Sequence, residues 1–391
     1  MTYYRTVGDV PRKRHSLHRV EGDVVAEEMV GVEGFTGPSS LLYHRHSPSA
    51  IVSIEEADIE MPTFTANQPV APYHLRTTKL PAGAGDAVTS RMALLGNDDV
   101  RMSYVTATTT SPLYRNAVGD ELAFVQSGQA TLESVFGALP VTAGDYVVVP
   151  TGVTHRWVVA DEAGSVELLV LESRSHIQIP SKYLTPTGQL ADGSPYSERD
   201  LRGPDGPLLV EANDVEVLVR TRAGFARHVH RHHPFDVVGW DGYVYPWALS
   251  IHDFAPIVGA FHQPPPVHQT FAGTGFVVCS FVPRLYDFGP DAVKVPYHHS
   301  NVDSDEVLFY SDGDFMSRAG SGIGIGSISL HPAGFIHGPQ PGSRERSESQ
   351  DRTSEVAVML DTFAPLGLTQ AARDVSDPDY PWSWAGGRDA P

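Results

Sequence analysis

The chain has 391 residues, a formal charge of −19 and a single cysteine. That length exceeds what one hydrophobic core usually supports, so two domains are expected. The acidic balance excludes nonspecific attraction to nucleic acid or to an anionic membrane surface, and an anionic substrate would need a local positive pocket. Cys279, being alone, excludes an intramolecular disulfide and points to a reducing, cytoplasmic setting. The opening stretch MTYYRTVGDVPRKRHSLHR lacks an apolar signal core, and no apolar run approaches membrane-spanning length. With 36 glycines and 31 prolines, the composition suits a turn-rich β protein.

In chain order, residues 1–70 read as an irregular, partly stranded arm. GNDDV, near residue 97, leads into a first group of strands over 71–175, which contains ELAFVQSG and DYVVVP and closes with SVELLVLES. Residues 176–245 read as a Pro/Gly-rich connection. It carries PTGQLADGSP and the cluster HVHRHHPF, whose His228, His230, His232 and His233 fit no ligand spacing and are expected at the surface. A second group of strands, over 246–366, begins near Trp247, contains EVLFYSDG and closes with EVAVMLDTF. The charged stretch GSRERSESQDRTSE reads as a surface loop, and the 367–391 tail, with Trp382 and Trp384, is expected to dock on a barrel or a neighbouring subunit.

The two strand groups are copies of one pattern. Glu121 is followed seven residues on by Gly128, as Glu306 is by Gly313, and the run from Gly144 through Pro150 and Gly152 to His155 has the same spacing as that from Gly326 through Pro332 and Gly334 to His337. A repeat that reproduces several spacings twice is a far stronger signal than one motif. The second copy adds His299 seven residues before its glutamate, where the first has Tyr114. Alternating strands with turn glycines imply small β-barrels, and the arrangement resembles the cupin fold in its bicupin form: mainly β, two small antiparallel barrels, the first degenerate and the second metal-binding.

His299, Glu306 and His337 supply two imidazoles and a carboxylate from separate strands. Such a set caps one face of an octahedral ion and leaves sites for substrate and dioxygen, the ligand logic of non-haem Fe(II) oxygenases, although ligand type alone leaves manganese, nickel and zinc open. His298 points to the opposite face of an extended strand. His331 stands six residues before His337, where it would orient a ligand or line the pocket. His262 and His268 flank a triple proline that stiffens their loop, a setting for a general base.

Five strings in the C-terminal half carry a resemblance to a known family: PFDVVGWDGYVYPW, IHDFAPIVGAFHQPPPVHQTF, GFVVCSFVPR, PYHHSNVDSDEVLFY and SLHPAGFIHGPQPG. Together they resemble homogentisate 1,2-dioxygenase over about residues 234–366; the N-terminal half resembles it only through the degenerate barrel. The resemblance implies Fe(II) at His299, Glu306 and His337, a catalytic second-sphere histidine at His262, trimer-based or dimeric homo-oligomers, and conversion of homogentisate and dioxygen to maleylacetoacetate. The family's substrate-holding tyrosine is matched by Phe315, so Tyr297 or Tyr310 would have to substitute. Arg284 and Arg318 are candidates for the carboxylate of a small aromatic acid, and His268 and His331 are further candidates at the substrate. Gentisate or another hydroquinone-type acid, a metal-dependent isomerase or hydrolase, and a noncatalytic binding protein remain alternative readings.

Overall fold

The computed structural model describes residues 3–81, 85–159, 164–318 and 321–386. The chain forms a mainly β, cupin-type structure built on two curled sheets. The larger sheet surrounds the first barrel. Its axis is the long strand Glu121–Ser134, which pairs with Val166–Ser173 and Asp145–Val149 along its first half and with His155–Val159 and Gly137–Thr142 along its second. A register shift between Val125 and Ser127 lets this strand pass from one wall of the barrel to the other. The second sheet runs Gln269–Gly273, Phe276–Phe281, Val356–Thr362, Asp305–Asp312, Ser327–His331 and Tyr73–Arg76. Facing it is a wall of loops tied by two short pairings, His299 with His337 and Arg284–Leu285 with Arg352–Thr353.

The turn glycines of the repeat have a steric reason. Gly128 and Gly313 have φ of +78° and +85°, and a Cβ at either would sit 2.1 or 2.0 Å from the carbonyl oxygen of Ser165 or Ser354. Only glycine combines positive φ with so close a backbone approach.

Pairing crosses the boundaries drawn from sequence. Tyr73–Arg76 belongs to the second sheet, Trp247–Ser250 pairs with Asp145–Val149 of the first, and Gly367–Leu368 pairs with Met92–Gly96. The stretch read as a connection holds three strands, Asn213–Arg220, Phe225–His232 and Val237–Gly242. Asn213–Arg220 runs parallel to Tyr114–Asn116, and Val237–Gly242 pairs with Arg5–Gly8 and Ser39–His44 of the arm. Such pairings join residues far apart in sequence, so local patterning cannot reveal them. One apolar core extends through both barrels, and Phe124, Tyr146, Phe271 and Phe309 meet edge-on or tilted at ring distances of 5.1 to 6.1 Å. No described helix is long and apolar enough to cross a membrane.

The arm is fastened by a buried charge cluster. His44, on Ser39–His44, contacts Asp236 Oδ1 through Nδ1 at 2.6 Å and Glu28 Oε2 through Nε2 at 2.9 Å. Burial alone would lower its pKa, but the two carboxylates outweigh it and raise the group from 6.5 to about 9. With the folded pKa raised, this stabilisation is complete below pH 6.5 and is lost as the pH rises through about 9. Urea unfolding across that window should show stability falling by at most about 3 kcal/mol, and His44→Gln should flatten the dependence.

Candidate metal centre

Glu306 opens the strand Asp305–Asp312, between Ser327–His331 on one side and Val356–Thr362 on the other. His299 and His337 stand on the facing loop wall, where their backbones exchange hydrogen bonds of 2.8 and 2.9 Å. Each imidazole is set the same way: His299 Nδ1 lies 3.2 Å from the Tyr297 carbonyl and His337 Nδ1 3.0 Å from the Phe335 carbonyl. A proton on Nδ1 donated to a carbonyl leaves Nε2 free to ligate. Both Nε2 atoms turn toward Glu306, at 3.4 Å from Oε2 and 3.2 Å from Oε1. One ligand atom from each of the three residues lies within 4.8 Å of the others, and no other such trio occurs among the described residues. The donor set therefore fits a single metal ion.

Charge and hydrogen bonding prepare the carboxylate. Burial pushes the Glu306 carboxyl up, but contacts with His299, His331 and His337 hold it well below the usual range, so it is ionised. His331 is fully buried, and desolvation with the nearby Arg318 lowers it to about 3. The neutral ring stacks on His337 at 4.1 Å, donates from Nδ1 to Glu306 Oε1 at 3.1 Å and accepts the Tyr380 hydroxyl at Nε2 at 2.9 Å. Tyr380 belongs to the tail, where Trp384 also donates to the Gly338 carbonyl at 3.1 Å. The tail thus docks behind the second barrel and braces the ligands.

A cavity of about 410 Å³ opens in front of His299 and Glu306. His262, His268, Arg284, Tyr297 and Arg318 line it. His262 Nδ1 lies 3.8 Å from Asp287, and its ring meets Tyr297 at 5.0 Å. His268 is buried and lowered to about 3 by desolvation and then by Arg284, and its Nδ1 has no partner among the described residues. Arg284 reaches Glu355 at 3.4 Å, while Arg318 donates to Tyr310 and to the Gly338 carbonyl.

Two expected substrate contacts need correction. Tyr310 is fully buried, bonded to Ser329 at 3.1 Å and packed on Phe315, away from the cavity wall. It sits four residues beyond Glu306 on the same strand, further along the barrel interior. His331 faces Glu306 and Tyr380 and does not line the cavity. Phe315, expected at the substrate because of the tyrosine it replaces, also lies outside it. Sequence reading missed Asp361, the register partner of Glu306, which lines the cavity with Oδ1 unpartnered among the described residues. The repeat contains the signal, since Glu172 faces Glu121 in the same register.

The family model for the homogentisate 1,2-dioxygenase N-terminal region matches residues 4–251. The chain belongs to the homogentisate 1,2-dioxygenase family. It is 40% identical over 388 residues to a protein of Saccharolobus solfataricus named "Putative dioxygenase", covering 98% of this chain and 99% of that one. It is 24% identical to homogentisate 1,2-dioxygenase of Rhodopseudomonas palustris, over 97% of this chain and 90% of the relative. Among solved structures, a cupin 2 conserved barrel domain protein from Leptotrichia buccalis is 8% identical over 78% of this chain and all of its own, at a TM-score of 0.35. The family match falls on the half where sequence reading saw the weaker resemblance. The protein is thus an enzyme of the dioxygenase type, with a small-molecule substrate and dioxygen.

In this family member the first barrel keeps the repeat's geometry without its ligand set. His155 Nδ1 is 3.0 Å from the Val153 carbonyl, as in the second copy, but Tyr114 stands in place of the other histidine and donates to Glu121 Oε1 at 2.7 Å. The buried Arg91 guanidinium lies 2.9 Å from Glu121 and 3.2 Å from Glu172. A permanent organic cation takes the role that a metal ion would have between those acids. Removing one partner of a buried ion pair strands the other, a loss of about 3–5 kcal/mol. Arg91→Leu should therefore cost that much in urea unfolding, while Arg174→Leu, whose pairing with Asp99 is half exposed, should cost about 1 kcal/mol or less.

Proposed function

We propose that this protein is an Fe(II)-dependent ring-cleaving dioxygenase of a hydroquinone-type aromatic acid, with homogentisate as substrate and maleylacetoacetate as product. The observation that carries this reading is the convergence of His299, Glu306 and His337 at the wall of a roomy cavity in a chain of this family. Two imidazoles and one carboxylate suit ferrous iron and leave coordination sites for other molecules. When bound, the ion would supply Lewis acidity toward a phenolic oxygen and a place for dioxygen.

The chain's own residues then do the binding and proton work. His262, partly exposed on the cavity wall and within electrostatic reach of Asp287, takes the proton of a ring hydroxyl. That raises electron density in the ring where oxygen attacks, at the carbon bearing the side chain. His268 is neutral and unpartnered at Nδ1, so it offers a hydrogen bond to a second ring oxygen. Arg284 and Arg318 supply positive charge for the substrate carboxylate in an otherwise acidic protein, and Tyr297 limits the mouth of the cavity beside His262. Phe281, Leu308 and Met359 form apolar walls suited to an aromatic ring. Both atoms of dioxygen stay in the ring-opened product, so no external reductant is needed. A cytoplasmic setting and a trimer-based or dimeric homo-oligomer belong to the same reading, supported by family membership.

Oxygen uptake by protein reconstituted with Fe(II) under anaerobic conditions tests the proposal, with homogentisate and gentisate as separate substrates. One dioxygen consumed per homogentisate, with an absorbing ring-opened product, is expected. Turnover without oxygen would favour an isomerase or hydrolase, and tight binding without turnover a carrier. His262→Ala should retain its iron and lose about 10²- to 10⁴-fold in kcat; unchanged kcat would remove His262 from proton transfer.

A further inference from the structure

We infer that the metal-free first barrel carries a second ligand site at its mouth, one that binds a small anion bearing a carboxylate or phosphate group. A cavity of about 270 Å³ lies there, near the lower end of ordinary small-molecule pockets. Four arginines line it: Arg101, Arg174, Arg220 and Arg222. They come from three segments, Arg220 and Arg222 sharing one, that the pairing brings to one rim. Arg101 is the register partner of Glu172, and Arg220 is the register partner of Asn116.

Two of these guanidiniums have no carboxylate in direct contact among the described residues. Arg220 is 4% exposed, yet among the described residues no carboxylate lies within 4.0 Å of it. Its contacts are a 3.4 Å hydrogen bond to the Gly224 carbonyl and the face of Phe225 at 5.3 Å. Arg101 is half-buried, has no carboxylate in contact among the described residues and leaves a buried Nη1 without a hydrogen-bond partner. Burial and then Arg220 lower its pKa, outweighing the opposite pull of Glu172 and Asp98. Two like charges held together, one buried and one half-buried, with a single long hydrogen bond between them and the backbone, are costly unless an anion joins them.

The acids on the same rim act on these arginines only at a distance, Glu172 on both and Asp98 on Arg101, and among the described residues none is in contact with either. Asp99 is taken by Arg174 at 2.7 Å, Glu172 is taken by Arg91, and Asp98 is exposed. Paired guanidiniums present forked donors that match the planar or tetrahedral oxygens of carboxylate and phosphate. In a chain of charge −19 such a concentration of arginine is local, not a consequence of composition. The site is independent of the metal centre, which lies in the other barrel.

Isothermal titration calorimetry on the full-length protein at low salt, with inorganic phosphate and succinate titrated separately, tests the assignment. Saturable binding of at least one anion is expected, weakened about tenfold or more in Arg101→Gln and unchanged in Glu306→Gln. Whichever anion binds more tightly identifies the ligand as phosphate- or carboxylate-bearing. Arg101 is partly exposed, so its variant should fold even if Arg220→Gln does not. The assignment fails if neither anion binds saturably, if Arg101→Gln binds like wild type, or if Glu306→Gln abolishes binding.

Discussion

The ionised Glu306 carboxylate, buried between two neighbouring strands and a wall of imidazoles, is the constraint on which the second barrel is arranged. A buried charge costs several kcal/mol unless compensated, and here three histidine rings turn toward it. Two of them are oriented by backbone carbonyls so that their free nitrogens face the same point. The third, His331, is locked by Tyr380 from the tail and so positions the carboxylate from behind. Ligand orientation by such outer hydrogen bonds tunes a metal site as much as the ligands do. The tail packs behind this carboxylate, with the Tyr380 hydroxyl on His331 and the Trp384 indole on the Gly338 carbonyl.

The two barrels show two solutions to one electrostatic problem. Each places an acid at the start of its central strand and a second acid opposite it, Glu121 with Glu172 and Glu306 with Asp361. In the first barrel Arg91 bridges both acids and Tyr114 completes the hydrogen bonding of Glu121, which gives a closed, fixed interior. In the second, His299 stands where the first has Tyr114 and His331 where it has Val149, the register partner of Glu121, and Asp361 keeps an oxygen without a partner among the described residues on the cavity wall. The first copy thus holds a built-in cation between its acids, and both barrels share one apolar core.

Much of this was legible in the sequence, for reasons particular to the repeat. Spacing from Glu306 to His337 is local information, and its echo from Glu121 to His155 separated signal from chance. The turn glycines at 152 and 334, found at φ of +83° and +75°, were readable because each follows a proline by two residues, where a tight turn needs positive φ. What stayed hidden was long-range. Nothing local in Tyr73–Arg76 says that it pairs with Ser327–His331, or that Trp247–Ser250 joins the first barrel. The direction in which His331 and Tyr310 point follows from those pairings, which is why both were expected at the substrate and are found within the barrel. Arg91 stands outside the repeated motif, so its role appears only once three strands bring it to Glu121 and Glu172.

The central claim is that one ion is held by His299, Glu306 and His337 and that the first barrel holds none. Metal stoichiometry on protein reconstituted anaerobically with Fe(II) tests it most directly. One ferrous ion per chain is predicted for the wild type, and near-complete loss for Glu306→Ala under conditions where the variant remains folded. Two ions per chain, or undiminished binding by folded Glu306→Ala, would contradict the account.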